Sequence, residues 1–153
     1  MIEPGAAAPD FTLPDQDGND VSLASFRGSK LMLVFYPLDF TPVCSDQLSI
    51  YQEVLPEITA QGTTLVGISV DSSDTHRAFQ EKLGIEITLL ADFHPKGEVS
   101  RAYGAYVEER GHPNRSLVLI DEQQTVRWVH ESPSTLEIPG ANLIFDALDT
   151  VSG

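Results

Sequence analysis

Cysteine is nearly absent from this chain: Cys44 is the only one among 153 residues. A single cysteine excludes a disulfide within the chain, and it excludes dithiol exchange of the C-x-x-C type. Because the four histidines are scattered along the sequence, the composition also argues against a zinc site. We therefore expect neither a metal nor a cofactor.

Positive charge and long apolar runs are also scarce. Nine Lys and Arg residues stand against 23 Asp and Glu residues, which gives a formal net charge of −14. A surface this acidic repels nucleic acid and anionic membranes, so neither is an expected partner. No apolar run reaches membrane-spanning length, and residues 1–10 lack the basic and apolar segments of a secretion signal. Together with the single cysteine, this predicts a cytoplasmic protein.

The pattern of apolar residues predicts an α/β fold. A length of 153 residues suits one core, so we expect a single domain over 1–153. Residues 31–36 and 64–70 are solid apolar runs, typical of strands buried on both faces, and a helical pattern follows each. This order implies right-handed crossovers and a central sheet with helices on both faces. The other expected elements are a hairpin of 11–13 and 21–23, a helix from about 75 to 83, a strand at 87–90, a short helix starting at 92, a hairpin of 117–120 and 126–129, and a helix over 141–151.

The segment 37–44 joins the first apolar run to the helix that follows it. Thr41 is a favoured N-cap type and Pro42 suits the first helical position, so a helix beginning here has Cys44 in its first turn. Apolar residues then recur with helical spacing, which places Cys44 on the inward face of that helix. We expect the helix to reach about Ala60, with a kink or a break at Pro56.

The position of Cys44 suits redox or nucleophilic chemistry. The positive end of the helix dipole and the unpaired N–H groups of the first turn favour the thiolate, which is the nucleophilic form. A free cysteine is equally at home as a small core hydrophobe. Helix position alone does not decide between these two interpretations.

Charge near Cys44 in the sequence opposes the thiolate. Asp39 and Asp46 flank the cysteine and would disfavour a second negative charge if they faced inward. Among basic residues, only Arg27 and Lys30 precede Arg77. A cation that stabilises the thiolate therefore has to come from a distant part of the chain.

Pro37, Thr41 and Cys44 stand in a P-x-x-x-T-x-x-C arrangement, which resembles that of the peroxiredoxins, the thiol peroxidases of the thioredoxin superfamily. Further strings agree in order along nearly the whole chain, and the resemblance is nearest to one-Cys peroxiredoxins of the alkyl hydroperoxide reductase E type. It implies a thioredoxin-like fold with an N-terminal β extension and a central mixed sheet flanked by helices. The agreeing strings are 8–13, 69–72 followed by His76, 89–92, 102–104, and Arg115 ahead of 117–121.

The resemblance also implies roles for individual residues. Cys44 would be the nucleophile and become a sulfenic acid. Thr41 would hydrogen-bond the thiolate or the peroxide, although a plain N-cap is an open alternative. Pro37 would shape and shield the pocket, or merely end the strand. Arg115 would supply the missing cation, because guanidinium stays charged when partly buried; the alternative is an exposed surface arginine.

Other polar residues have simpler interpretations. His76 is expected on a helix face or in a supporting role, not as a base. Asp71 and Asp74 are expected to cap a helix and not to bind a metal as a pair. Glu108 and the adjacent Glu109 are interpreted as a solvated charge pair.

The chain departs from many peroxiredoxins in having no resolving cysteine. Some carry one five positions after the first, where this chain has Ser49, and others carry one near the C-terminus, where this chain has none. A sulfenic acid at Cys44 would therefore need an external thiol. Candidates are mycothiol, glutathione, or a thioredoxin-, glutaredoxin- or mycoredoxin-like protein.

Three functions are consistent with the sequence. The first is a peroxidase that reduces hydrogen peroxide, alkyl hydroperoxides or peroxynitrite. The second is a peroxide sensor, in which the oxidised Cys44 acts on a partner protein. The third is a binding or holdase protein in which Cys44 is only structural. By analogy with peroxiredoxins, which commonly pair edge to edge, we also expect a homodimer.

Overall fold

The structure is a computed structural model that describes residues 1–151, built from nine strands and five α-helices within that range. A 3₁₀ turn over Leu23–Phe26 precedes the central strand. The strands are β1 (Thr12–Pro14), β2 (Asp20–Ser22), β3 (Lys30–Phe35), β4 (Thr63–Ser69), β5 (Thr88–Ala91), β6 (Tyr106–Val107), β7 (His112–Pro113), β8 (Ser116–Ile120) and β9 (Val126–Glu131). The helices are α1 (Pro42–Glu53), α2 (Leu55–Ala60), α3 (Ser73–Leu83), α4 (Glu98–Ala102) and α5 (Ala141–Val151).

A five-stranded sheet in the order β5-β4-β3-β8-β9 forms the centre of the fold. Strands β3, β4 and β5 are parallel, as the strand–helix order predicts. Strand β8 runs antiparallel to β3, and β9 runs antiparallel to β8, so the sheet is mixed. The hairpin of β1 and β2 lies outside this sheet as the predicted N-terminal extension. The predicted fold class is confirmed.

Two hydrophobic clusters cover the two faces of the sheet. Side chains of α1, α2, α3 and α5 pack on one face, where Cys44 belongs to the same cluster as Tyr51 and Phe79. Strand β1, the 3₁₀ turn and α4 cover the other face around Phe35 and Tyr103. Because both faces are covered, β3 is fully buried from its second residue to its last, which explains its unbroken apolar run.

Local signals account for the helix ends. The break at Val54 separates α1 from α2, and Pro56 lies in the first turn of α2, so the predicted split is confirmed. Helix α3 begins two residues before the predicted start, because the hydroxyl of Ser72 accepts a hydrogen bond from the Thr75 N–H at 3.3 Å. It ends at Leu83, and the next residue, Gly84, has a left-handed conformation that suits glycine.

One prediction about the connections is wrong. The helix expected from residue 92 begins only at Glu98, because the buried carboxylate of Asp92 accepts the N–H groups of Val99 and Ser100 at 3.1 and 2.8 Å. Glu108 and Glu109 are both exposed, as the prediction of a solvated pair requires, and Glu108 also accepts hydrogen bonds from Arg101. The short β6–β7 hairpin was not predicted. Among the described residues, no helix is long and apolar enough to cross a membrane.

Gly67 on β4 leaves no room for a larger side chain. A Cβ atom there would lie 2.9 Å from Leu89 Cδ2 and 3.1 Å from the Tyr36 ring, and both side chains are fully buried. We expect Gly67→Ala to lower the free energy of unfolding by about 1–3 kcal/mol through overpacking. Urea denaturation measures this change.

The matched control is Thr64→Ala, at an exposed position of the same strand. Its effect is expected to stay within about 0.5 kcal/mol. Equal stability of Gly67→Ala and the unmodified protein would contradict the prediction.

Candidate active site

Cys44 lies where the sequence predicts, in the first turn of α1 and fully buried. The chain leaves β3 at Phe35, passes through the buried residues Tyr36 and Pro37, and enters α1 at Pro42. The N–H groups of a first turn have no partner within the helix, so the thiol lies at a site that favours negative charge.

Arg115 reaches Cys44 across 71 positions of sequence. Its Nη1 donates a hydrogen bond to Cys44 Sγ at 3.3 Å. Strand β8 causes this approach: it pairs antiparallel with β3, and its first residue, Ser116, is level with Phe35 at the end of β3. The arginine just before β8 therefore lies beside the start of α1. Arg115 is 2% exposed, so the alternative of a surface arginine is wrong.

Neutral groups hold the guanidinium in place. Its Nε donates to the carbonyl of Thr135 at 2.9 Å, and its Nη1 also donates to Gln47 Oε1 at 2.6 Å. Gln47 in turn donates to the Tyr51 hydroxyl at 3.1 Å, and that hydroxyl donates to the carbonyl of Pro139 at 2.6 Å. Burial raises the pKa of Tyr51 to about 12, so the phenol remains a donor at neutral pH.

Sequence reasoning missed Gln47 and Tyr51 as parts of the site. Both lie on the helix face of Cys44, three and seven positions further along α1, which is the spacing of neighbours on one face. That periodicity was used only to place the apolar stripe. A buried glutamine on such a stripe is the signal that would have found them.

Thr41 occupies the N-cap position but does not cap the helix with its side chain. Its hydroxyl donates instead to the carbonyl of Leu38 at 3.0 Å. The backbone carbonyl of Thr41 accepts both the N–H and the hydroxyl of Ser45, at 2.9 and 2.8 Å. The oxygen of the threonine hydroxyl thus keeps a lone pair for another group.

A cavity of about 250 Å³ brings the predicted residues together. Pro37, Thr41 and Arg115 all line it, and Arg115 also contacts the buried thiol of Cys44. The cavity therefore has a helix N-terminus, a fixed cation and a hydroxyl in its lining, and the buried thiol of Cys44 lies behind the cation. These are the groups that stabilise negative charge on a reacting oxygen.

The acidic residues beside Cys44 do not oppose the thiolate as the sequence indicated. Asp46 is exposed. Asp39 is buried, but its carboxylate lies 2.7 Å from Nδ1 of His76 on α3 and accepts the Tyr36 hydroxyl at 2.6 Å. The Asp39 carboxyl group therefore bonds to another group of residues and not to the cysteine.

That group is also the one set in residues 1–151 with a spacing suited to a metal. Ligand atoms of Asp39, Asp71 and His76 lie within 4.8 Å of one another. Each is already engaged: Asp71 accepts from Ser69 and from the Asp39 N–H, and the second nitrogen of His76 lies 3.0 Å from the Leu90 carbonyl. A cation would have to break these bonds.

Asp71 is not the cap of α3, contrary to the prediction from the sequence, because the cap is Ser72. Burial raises the pKa of the Asp71 carboxyl group.

A family model described as the AhpC/TSA family matches residues 4–129. The chain belongs to this family, the peroxiredoxins. The predicted family is confirmed, and the peroxiredoxin is a peroxidase and an oxidoreductase. Membership implies peroxide substrates and a thiol reductant.

Relatives of this peroxiredoxin match it over nearly its whole length. Alkyl hydroperoxide reductase E of Mycobacterium bovis is 38% identical over 149 residues, which is 97% of each chain. The reduced 2-Cys peroxiredoxin of Plasmodium vivax superposes with a TM-score of 0.89 at 28% identity, covering 99% of this chain and 82% of its own. Peroxidoxin BcpB of Mycobacterium tuberculosis gives a TM-score of 0.87 at 25% identity, covering both chains fully.

The hydroxyl of Tyr51 connects α1 to the segment before α5. In Tyr51→Phe, the buried amide of Gln47 and the carbonyl of Pro139 each lose a hydrogen-bond partner. We expect the free energy of unfolding to fall by about 1–3 kcal/mol, measured by urea denaturation.

Tyr106→Phe is the matched control, because the Tyr106 hydroxyl makes no hydrogen bond within residues 1–151. Its effect should remain within about 0.5 kcal/mol. The prediction is wrong if the two variants unfold at the same urea concentration.

Proposed function

We propose that this peroxiredoxin reduces hydrogen peroxide, alkyl hydroperoxides or peroxynitrite with Cys44 as the nucleophile. The observation that carries the proposal is the 3.3 Å contact between Arg115 Nη1 and Cys44 Sγ at the N-terminus of α1. A buried cation and a helix N-terminus both favour the thiolate and both stabilise charge in the transition state.

In the proposed reaction, the thiolate of Cys44 attacks one oxygen of the peroxide. The S–O bond forms as the O–O bond breaks, and the departing oxygen leaves as hydroxide or an alkoxide that takes up a proton, or as part of nitrite when the substrate is peroxynitrite. Cys44 becomes a sulfenic acid. The guanidinium of Arg115 stabilises the charge that develops on the departing oxygen, which is the largest electrostatic demand of the step.

Thr41 and Pro37 have the remaining roles in this proposal. The Thr41 hydroxyl donates to a backbone carbonyl, so its oxygen is available to accept the O–H of a hydroperoxide. Pro37 is buried and has no N–H, so it closes one side of the cavity without competing for the peroxide.

We further propose a one-Cys mechanism. With Cys44 as the only cysteine, the sulfenic acid condenses with an external thiol to a mixed disulfide and water, and a second thiol releases the reduced enzyme. Mycothiol, glutathione, or a thioredoxin-, glutaredoxin- or mycoredoxin-like protein fits this role chemically.

We also propose that the chain is a single domain over 1–153 that acts as a cytoplasmic homodimer.

The oxidation step is tested by intact mass after one equivalent of hydrogen peroxide. We expect a rapid gain of one oxygen in the unmodified protein and none in Cys44→Ser. Arg115→Ala should be slower by roughly a hundredfold, because it removes a donor to the developing charge.

Arg27→Ala is the matched control, since Arg27 lies just before β3, at the opposite end of the strand from Cys44, and should react at the normal rate. A thiol that stays unmodified for minutes would contradict the peroxidase and support a purely structural Cys44. In that case Cys44→Ser would also leave a binding or holdase function intact.

The reduction step is tested by adding thiols to the oxidised protein. The sulfenic acid should persist without a thiol and convert to a mixed disulfide, and then to the reduced form, when a small or protein thiol is added. Mass spectrometry follows each species.

Slow turnover with every thiol, together with a stable mixed disulfide to one protein, would contradict the scavenging peroxidase. That result would indicate the alternative function, a sensor that relays oxidation to a partner. Loss of the added oxygen without any thiol would contradict the one-Cys mechanism.

A further inference from the structure

The loop over residues 37–41 connects β3 to α1 and carries both Pro37 and Thr41. Part of its support comes from α3. The Asp39 carboxylate contacts His76, and the Phe40 ring lies 5.1 Å from the Phe79 ring, centroid to centroid. The geometry of the peroxide cavity therefore depends on how this loop is held to α3.

The hydrogen-bond partners of the two His76 ring nitrogens show where hydrogens must lie. Its Nε2 lies 3.0 Å from the Leu90 carbonyl, which only accepts, so Nε2 carries a hydrogen. Its Nδ1 lies 2.7 Å from Asp39 Oδ2, and two lone pairs cannot face each other at this distance. One further proton must lie between Nδ1 and Oδ2. Because both side chains are fully buried, water does not weaken this bond.

Asp39 is held on its other sides as well. Its second oxygen accepts the Tyr36 hydroxyl at 2.6 Å, and its backbone N–H donates to Asp71 Oδ2 at 2.8 Å. The Ser69 hydroxyl donates to that same oxygen of Asp71 at 2.6 Å. The end of β3, the end of β4 and helix α3 thus converge on one loop residue.

The loop conformation needs such support. Phe40 has a φ of 65°, which is unfavourable for a bulky residue without a left-handed preference. A strained backbone persists only where the surrounding structure holds it. Phe40 is itself 47% exposed, so the bonds of its buried neighbour Asp39 add to the restraint that the contact with Phe79 provides.

We propose that His76 is a positioning residue for peroxide reduction: the proton it shares with Asp39 fixes the loop so that Thr41 and Pro37 keep their places in the cavity lining beside Arg115. This inference rests on the proposed peroxidase function. His76 does not contact the cavity, and it acts only through the loop. The thiol itself depends on Arg115 and α1, which lie outside this group of bonds.

The inference predicts different effects on two reactions of Cys44, oxidation by peroxide and alkylation. In the proposed mechanism, reaction with peroxide needs the hydroxyl of Thr41, whereas alkylation by iodoacetamide needs the thiolate of Cys44 but not that hydroxyl. We expect His76→Leu to slow oxidation by hydrogen peroxide at least about tenfold, because small misplacements of positioning groups are costly. Alkylation should stay within about threefold of the unmodified protein.

Asp39→Asn distinguishes positioning by this bond from any general sensitivity of the loop. An asparagine amide can donate to Nδ1 of a neutral His76 and still accept from Tyr36, so every hydrogen bond is kept. Both rates should therefore stay within about threefold of the unmodified protein. His94→Gln, at an exposed histidine, is the control for loss of an imidazole.

Three results would overturn the inference: an unchanged peroxide rate in His76→Leu, an equal fall of both rates, or a loss in Asp39→Asn as large as in His76→Leu. If circular dichroism shows that His76→Leu does not fold, Asp39→Ala replaces it in the comparison with Asp39→Asn. Failure of the unmodified protein to react with peroxide would reject the proposed function itself. Normal oxidation with no effect of His76 would reject the positioning role alone.

Discussion

The contact between Arg115 and Cys44 depends on the register of β8 against β3. Phe35 is paired with Ser116, so the residue before β8 lies beside the first turn of α1. A slip of one residue would turn every side chain of β8 to the other face and remove the guanidinium from the thiol. Such a slip would also exchange the side chains of the two hydrophobic clusters, because Leu117 packs in one of them and Val118 in the other. The packing of the core therefore determines the electrostatics of the site.

Arg115 differs from other arginines of this acidic chain in its partners. Arg101 and Arg127 form ion pairs with carboxylates, whereas Arg115 forms none within the described residues and bonds to an amide, a carbonyl and a sulfur. A buried cation without a counter-ion is unfavourable. In the proposed mechanism, the thiolate of Cys44 supplies the anion that offsets this cost, because Arg115 Nη1 lies 3.3 Å from its sulfur. An acidic residue in place of Gln47 would compete for that position.

Local signals account for what the sequence predicts well. Residue types in the segment 37–42 predict the start of α1, and Pro56 predicts its break. The position of Cys44 therefore follows from a short stretch of chain. Arg115 has no such signal, because its approach requires the register of two strands far apart in sequence; only the family resemblance indicated it. The contact of Arg115 with Thr135 is made by a backbone carbonyl. Every residue has one, so the residue type at position 135 does not predict this contact. Asp39 shows the converse error. It lies near Cys44 in sequence, but its carboxylate bonds to His76 on α3, so proximity in sequence does not predict its partner.

Cys44 is at once the proposed nucleophile and a member of the main hydrophobic cluster. Oxidation would thus add a polar oxygen at a site packed by Leu48, Tyr51 and Phe79. Conformational stability and redox state are then linked quantities, because the same atom enters both equilibria. The added oxygen would lower the free energy of unfolding by some amount. By linkage, the folded protein would then favour reduction of Cys44 over its oxidised form by the same amount, relative to the unfolded chain. The tightness of the core thereby contributes to the reduction potential of the enzyme.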